Sequence, residues 1–235
     1  MAGSSTPPRT LPRLPELAAR VLVASIAVLV LLHAFRRPIV EPMIPVFRAA
    51  VRLLATEFII NSAEIVREGP KETLRFRANL SMPLKFAGQT LYPFGWRGVV
   101  PQGGYQVRVD LGGVLQYCAL LLILVLAWPA SHVKEFAIRL ALSLPLTAIL
   151  LLIDVPSTVA AELWGVLHSE YDPGGFNGWM VWSRFLMGGG GLVIACLMGT
   201  LAITAAASRH AAASPHAAAV RRTPGTSSSA TPRST

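Results

Sequence analysis

The segment TLRFRANLSMPL, residues 73–84, alternates between apolar and polar side chains. One face carries Leu74, Phe76, Ala78, Leu80 and Met82, and the other carries Arg75, Arg77, Asn79 and Ser81. This period of two residues is typical of a β-strand that is buried on one face. Elsewhere the apolar residues stand in long unbroken runs. The sequence therefore predicts a small β-structured module within a mostly helical membrane protein.

The composition indicates that lipid is the main solvent of the chain. Of its 235 residues, 53% are hydrophobic and 14% are charged, whereas a soluble domain has about 25% charged residues. The net charge of +9 favours positive loops and contact with anionic headgroups in such a chain. We therefore expect the lipid bilayer as a partner and no nucleic acid. Cys118 and Cys196 lie inside apolar runs and are expected to be packing residues.

Four apolar runs are long enough to cross a bilayer as helices. They cover residues 17–35, 111–128, 136–153 and 185–207, and a span needs about 17–25 residues. Because backbone amides in lipid need partners within their own segment, runs of this length are predicted to be helical. The first run ends in LHAFRRP without a small-residue cleavage site, so we interpret it as an uncleaved anchor. The predicted fold class is an α-helical integral membrane protein with four transmembrane helices and a small extracytoplasmic β-module.

The charges of the connecting segments predict how these spans are oriented. The two tails, residues 1–16 and 208–235, are basic, and so is the short loop of residues 129–135, whereas the loop of residues 154–184 is acidic. Because positive segments stay in the cytoplasm, both termini are predicted to be cytoplasmic in a multi-pass protein of a bacterial inner membrane. The segment of residues 36–110 is basic, but long segments are largely exempt from this charge rule. We therefore predict that it lies outside the cytoplasm. The C-terminal tail is predicted to be disordered.

The outer segment is predicted to hold an amphipathic helix and about three strands. Prolines 38, 42 and 45 are expected to end the first helix early. From Val46 onward, apolar residues recur on one helical side with Arg48 and Arg52 opposite. This pattern fits a helix at the lipid headgroups or a helix that covers the β-module. The candidate strands are EFIINSAEIV at 57–66, the opening segment, and GYQVRVDL at 104–111.

Three arginines on the polar faces of these strands are candidates for docking a partner. Arg75 and Arg77 belong to the opening segment, and Arg108 belongs to the third strand. An acidic protein, a lipid headgroup or an anionic polymer would be attracted to such a surface. The alternative is a solvated basic face that binds nothing.

The second outer loop supplies a weaker set of candidate residues. A short helix is predicted over Val159–Leu167, capped by Ser157 or Thr158. Trp164, Trp179 and Trp182 are expected to anchor the loop at the membrane interface. His168, Glu170 and Asp172 are spaced by two residues, a pattern of low specificity for a cation or for catalysis. We therefore predict no metal and no cofactor.

The fourth apolar run carries small residues at a spacing of four. Gly191, Ala195 and Gly199 share one face of a helix, and small residues let helices approach closely in lipid. We predict that this face packs within the bundle or against a partner. Arg139 lies near the inner end of the third run and is expected to extend towards the interface.

The order of these elements over residues 17–207 resembles that of the exosortase-associated membrane proteins of bacteria. The segments VFRAAVRLLATEFIINSAEIVR at 46–67 and SRFLMGGGGLVIA at 183–195 carry the resemblance. It implies an accessory protein found with a multi-span exosortase. Exosortases themselves resemble cysteine transpeptidases or proteases with a Cys, an Arg and a His on membrane helices. Here Cys118 has no Arg and His placed on neighbouring spans in that manner, so we do not assign the enzyme's role to this chain.

The sequence therefore predicts a non-catalytic accessory protein that docks another membrane protein in an envelope export, sorting or polysaccharide system. The first alternative is an intramembrane or interfacial enzyme that uses the histidine and acids of the second outer loop. The second alternative is a small transporter subunit.

Overall fold

The computed structural model describes residues 14–69, 71–93, 104–130 and 132–213. Its helices are α1 (Leu14–Val40), α2 (Ile44–Leu54), α3 (Leu111–Ala127), α4 (Val133–Tyr171), α5 (Gly178–Phe185) and α6 (Gly191–Ala213). Its strands are β1 (Phe58–Glu68), β2 (Lys71–Leu80), β3 (Leu84–Phe86), β4 (Gln89–Leu91) and β5 (Tyr105–Asp110). Most of the predicted N-terminal tail, and the chain from residue 214 onward, lie outside the described residues.

Within the described residues, three helical segments are long and apolar enough to cross a membrane. They are Leu14–Leu54, Val133–Tyr171 and Gly178–Arg209. The second predicted span corresponds to α3, a shorter apolar helix of 17 residues. The chain is therefore a helical membrane protein with an attached β-module, and the crossing of α3 stays a prediction.

The module is an antiparallel sheet in which β2 lies between β1 and β5. Leu74 lies opposite Ile65 on one side and Val109 on the other. Leu74, Phe76 and Ala78 are fully buried, which matches the alternation of the sequence. A short hairpin of β3 and β4 follows, which the sequence did not reveal. Its turn is Ala87-Gly88, with positive φ at both residues, rather than the usual Asn-Gly or Asp-Gly.

The helix α2 covers the β-module. Its residues Phe47 and Val51 are fully buried, in the same core as the inner face of the sheet. Arg48 and Arg52 each donate from Nη2 to the carbonyl oxygen of Ile60 over 3.3 Å, next to a bulge in β1. A bulge leaves backbone groups without a partner in the ladder. The arginines therefore supply hydrogen bonds to a backbone carbonyl of the sheet. This contact fits the prediction of a helix that covers the β-module rather than the alternative of a helix whose arginines face lipid phosphates.

Two predicted helix boundaries were wrong. The helix α1 runs through Pro38 to Val40, and α4 runs through Pro156 to Tyr171 instead of giving way to a separate helix at Val159. Ser157 does not cap a new helix, because its Oγ donates to the carbonyls of Ile153 over 2.6 Å and Asp154 over 3.1 Å. These two hydrogen bonds support the helix beside Pro156, which has no backbone N–H to donate.

Arg139 connects the start of α4 to the end of α3. Its guanidinium is buried and pairs with Glu135, one turn nearer the start of α4. It also donates to the carbonyls of Trp128 and Pro129 over 3.1 and 3.2 Å. These carbonyls follow the end of a helix, where a cation is favoured.

The predicted boundary of the C-terminal tail was also wrong. The helix α6 continues to Ala213, so residues 208–213 are helical rather than part of a disordered tail.

Candidate functional site

The outward face of the sheet carries the three predicted docking arginines together. Arg75 in β2 lies directly opposite Arg108 in β5, and Arg77 lies one pleat further along β2. The side chains of Arg77 and Arg108 are 57% and 54% exposed, whereas that of Arg75 is 19% exposed. The sheet therefore presents these arginines as one surface, which we name the arginine face.

Two glutamates of β1 share the arginine face and pair with the arginines. Glu68 lies 3.0 Å from Arg75 and 3.1 Å from Arg108, measured between side-chain oxygen and nitrogen. Glu64 lies 3.9 Å from both Arg75 and Arg77. The face is therefore a network of mixed charge, and it favours a partner with alternating charges over a uniformly acidic one.

Sequence reasoning missed Glu64 and Glu68, although a signal for them was present. Their spacing of four residues places them on the same face of a strand. A hairpin that turns between Glu68 and Lys71 also places Glu64 opposite Arg75. The exact register was needed, because a shift by one residue would move the glutamates to the other face.

The residues His168, Glu170 and Asp172 do not converge on one point. His168 is buried and its Nδ1 lies 3.4 Å from Oδ2 of Asp172, one helical turn further along. Glu170 is exposed and lies near Tyr105. Burial raises the pKa of Tyr105, and the charge of Glu170 raises it further. In the described part of the chain, no three His, Cys, Asp or Glu side chains are grouped to hold a metal ion.

His168 borders a groove between the β3–β4 hairpin, the C-terminal half of α4 and the helix α5. We name it the aromatic groove, and its volume is about 820 Å³. Its aromatic rings are those of Phe86, Trp164, Phe176, Trp179 and Trp182. Glu57 and Lys85 also line it. The three tryptophans expected to anchor the second outer loop thus meet at one site, although they are distant in sequence from the hairpin.

The small-residue face of the fourth run packs inside the bundle against α3. A side chain at Gly191 would overlap the ring of Tyr117, and a Cβ at Gly199 would lie 2.6 Å from Cδ2 of Leu124. Ala195 between them is fully buried. The structure places these three residues at an internal helix contact rather than at a free surface.

Comparisons of the chain with family models, with curated proteins and with solved structures find no match. The class of this protein is therefore defined by its own fold. It is a helical membrane protein that carries a β-module, with a charged face on the sheet and an aromatic groove beside it.

Proposed function

We propose that this protein is a non-catalytic accessory protein of a bacterial inner membrane, and that its arginine face docks another membrane protein outside the cytoplasm. One observation carries the proposal. Arg77 and Arg108 are more than half exposed on a sheet whose opposite face is buried along β5 and most of β2. Exposed charges on a rigid support determine which partner binds and in which register.

The support is rigid because the sheet and the helices share a core. Phe76 of β2, Leu111 of α3 and Val159 of α4 are all fully buried members of one cluster. On the side of α1, Arg36 forms an ion pair with Glu72 of β2 over 2.8 Å. A partner that binds the arginine face would therefore bind a surface fixed relative to the membrane helices. The resemblance to exosortase-associated proteins makes a multi-span exosortase the partner to look for first.

Charge reversal on the arginine face tests this proposal. The tagged full-length protein is extracted in mild detergent, and the proteins that co-purify are identified and quantified by mass spectrometry. The double variant Arg77→Glu/Arg108→Glu should reduce recovery of the partner at least tenfold, since like charges across an interface cost about 1.4 kcal/mol or more. Lys134→Glu makes the same kind of change at the start of α4, remote in the chain from the sheet, and should leave recovery unchanged.

Equal recovery of every multi-span protein by the wild type and the double variant would show that the arginine face does not dock the partner. Melting temperatures of the purified variants establish that the sheet still folds. If the double variant melts far below the wild type, the single variants Arg77→Gln and Arg108→Gln replace it.

A second candidate function is an interfacial enzyme, and one observation favours it. The buried imidazole of His168 lies beside the carboxylate of Asp172 and borders the aromatic groove. A carboxylate beside one ring nitrogen can hold the imidazole in a fixed orientation, an arrangement found around catalytic histidines. The neighbouring Ser169 is exposed, and its Oγ donates to the carbonyl of Val166. In a deletion strain, His168→Asn should abolish complementation if this function is correct and should complement fully if the accessory function is correct.

A further inference from the structure

Two charged side chains at the aromatic groove have no charged partner among the described residues. Glu57 is half-buried and Lys85 is exposed, and both line the groove. The charged side chains of the arginine face, in contrast, are paired with one another. A groove that offers one unpaired carboxylate and one unpaired ammonium group is complementary to a ligand that carries both charges.

The aromatic rings favour a cation as one part of that ligand. Phe86 lies 6.1 Å from Trp164 between ring centroids, and Trp179 and Trp182 face the groove from α5. The face of an aromatic ring attracts an ammonium group, and tryptophan provides the strongest attraction. The groove also falls within the size of small-molecule sites, which are roughly 300–1,000 Å³.

The groove adjoins the part of the chain that enters the membrane. The ring of Trp182 lies 5.3 Å from that of Phe185 between centroids, and Phe185 is the first residue of the fourth predicted span. The side chains of Val181 and Phe185 remain 58% and 49% exposed. Apolar surface of this kind at the start of a membrane helix is suited to acyl chains.

We propose that the aromatic groove binds the headgroup of a phospholipid that carries a primary ammonium group, as in phosphatidylethanolamine. Glu57 and the aromatic rings hold the ammonium group, and Lys85 holds the phosphate. The acyl chains follow Val181 and Phe185 into the bilayer. Phosphatidylglycerol has the phosphate but no cation for the rings and Glu57. The proposal is independent of the partner that binds the arginine face.

A lipid titration tests the proposal on the full-length protein in detergent. Short-chain phosphatidylethanolamine and phosphatidylglycerol are added separately, and binding is followed by tryptophan fluorescence. Phosphatidylethanolamine should bind saturably and about tenfold more tightly, the factor expected from one cation contact with aromatic rings and a carboxylate. Glu57→Gln should remove most of this preference, and Lys85→Gln should weaken the binding of both lipids.

Two matched variants control for the loss of charge alone. Glu162→Gln removes an exposed acid of α4, and Lys71→Gln removes an exposed lysine of β2, and neither residue lines the groove. Both should bind as the wild type does. If Glu57→Gln lowers the melting temperature, Trp179→Ala provides a second route, because it should weaken phosphatidylethanolamine more than phosphatidylglycerol.

Three results would overturn the proposal. The first is equal affinity for the two lipids, and the second is a Glu57→Gln variant that binds like Glu162→Gln. The third is free phosphoethanolamine binding as tightly as the short-chain lipid, which would assign the groove to a soluble ligand. None of these results bears on co-purification through the arginine face, so the two proposals fail separately.

Discussion

Tyr105 shows how one side chain at the junction of sheet and helices combines burial with polarity. It is 7% exposed, and its ring lies edge-on to Phe58 at 5.8 Å. Its hydroxyl has no hydrogen-bond partner within the described residues. Burial raises the pKa of Tyr105 to about 12, with smaller contributions from Tyr171 and Glu170. The folded protein therefore retains the proton of Tyr105 more tightly than the unfolded chain.

Replacing this residue by Tyr105→Phe should make the stability of the protein less dependent on alkaline pH. The contribution of protonated Tyr105 to the free energy of unfolding is fully present below pH 10, the ordinary pKa of tyrosine, and is lost as pH rises to about 12. At pH 7 the variant should be at least as stable, because a buried hydroxyl without a partner costs about 1 kcal/mol or more. Thermal unfolding of the wild type and the variant from pH 7 to 12 checks this prediction. An equal decrease of the melting temperature with pH in both proteins would contradict it.

At the scale of elements, the contact between α3 and α6 depends on residues without side-chain bulk. The ring of Tyr117 lies over Gly191, and its hydroxyl donates to the carbonyl of Leu186 over 2.9 Å. Leu186 begins the short π-helical turn of residues 186–190 that joins α5 to α6. The hydrogen bond limits how far the ring can move away from α6, so the backbone of α6 can approach α3 only where Cβ is absent.

We expect Gly191→Ala to destabilise the protein by about 1–3 kcal/mol, the cost typical of an overpacked helix contact. Helix propensity alone would stabilise the variant by about 0.8–1.0 kcal/mol. Gly165→Ala is the matched control, because Gly165 lies inside α4 and a Cβ there meets nothing within 4 Å. Thermal unfolding in one detergent should show a melting temperature below that of the wild type for Gly191→Ala. Gly165→Ala should show no such decrease. Equal melting temperatures would show that Tyr117 moves aside freely.

At the scale of the whole molecule, α4 joins the membrane region to the β-module. Its 39 residues correspond to about 58 Å of helix at 1.5 Å per residue, whereas the hydrocarbon core is about 30 Å thick. Val159 and Leu163 in its C-terminal half are fully buried in the core shared with the sheet. One continuous helix thus connects the apolar region of α4 to the β-module.

Cysteine labelling tests the proposed topology of this helix. In a background of Cys118→Ala and Cys196→Ala, single cysteines are introduced at two exposed positions, Lys134 and Glu162. A membrane-impermeant maleimide should label Glu162→Cys in intact cells and Lys134→Cys only after permeabilisation. Labelling of both positions in intact cells would contradict a crossing by α4, and the reverse pattern would invert the proposed orientation.

Several features of the candidate site could be predicted because they depend on neighbours along the chain. The alternation from Leu74 to Met82 identified Arg75 and Arg77 as residues on one polar face. The pairing of those arginines with Glu64 and Glu68 could not be predicted without the register of β1 against β2. The continuation of α4 through Pro156 was missed for a related reason, since a proline signals a helix end by its local chemistry. In the structure, the C-terminal half of α4 packs against the module, and the helix continues past the proline.

The sequence by itself determined that this chain is a membrane protein with a β-module, because hydropathy and side-chain period are properties of consecutive residues. It also identified the small residues of α6 by their spacing. Only the tertiary structure decided that these residues face α3, that the arginine face has mixed charge, and that an aromatic groove exists. The groove joins Phe86 of a short hairpin to Trp164, Trp179 and Trp182. Such a site forms only when segments far apart in the chain are packed together, which no local pattern records.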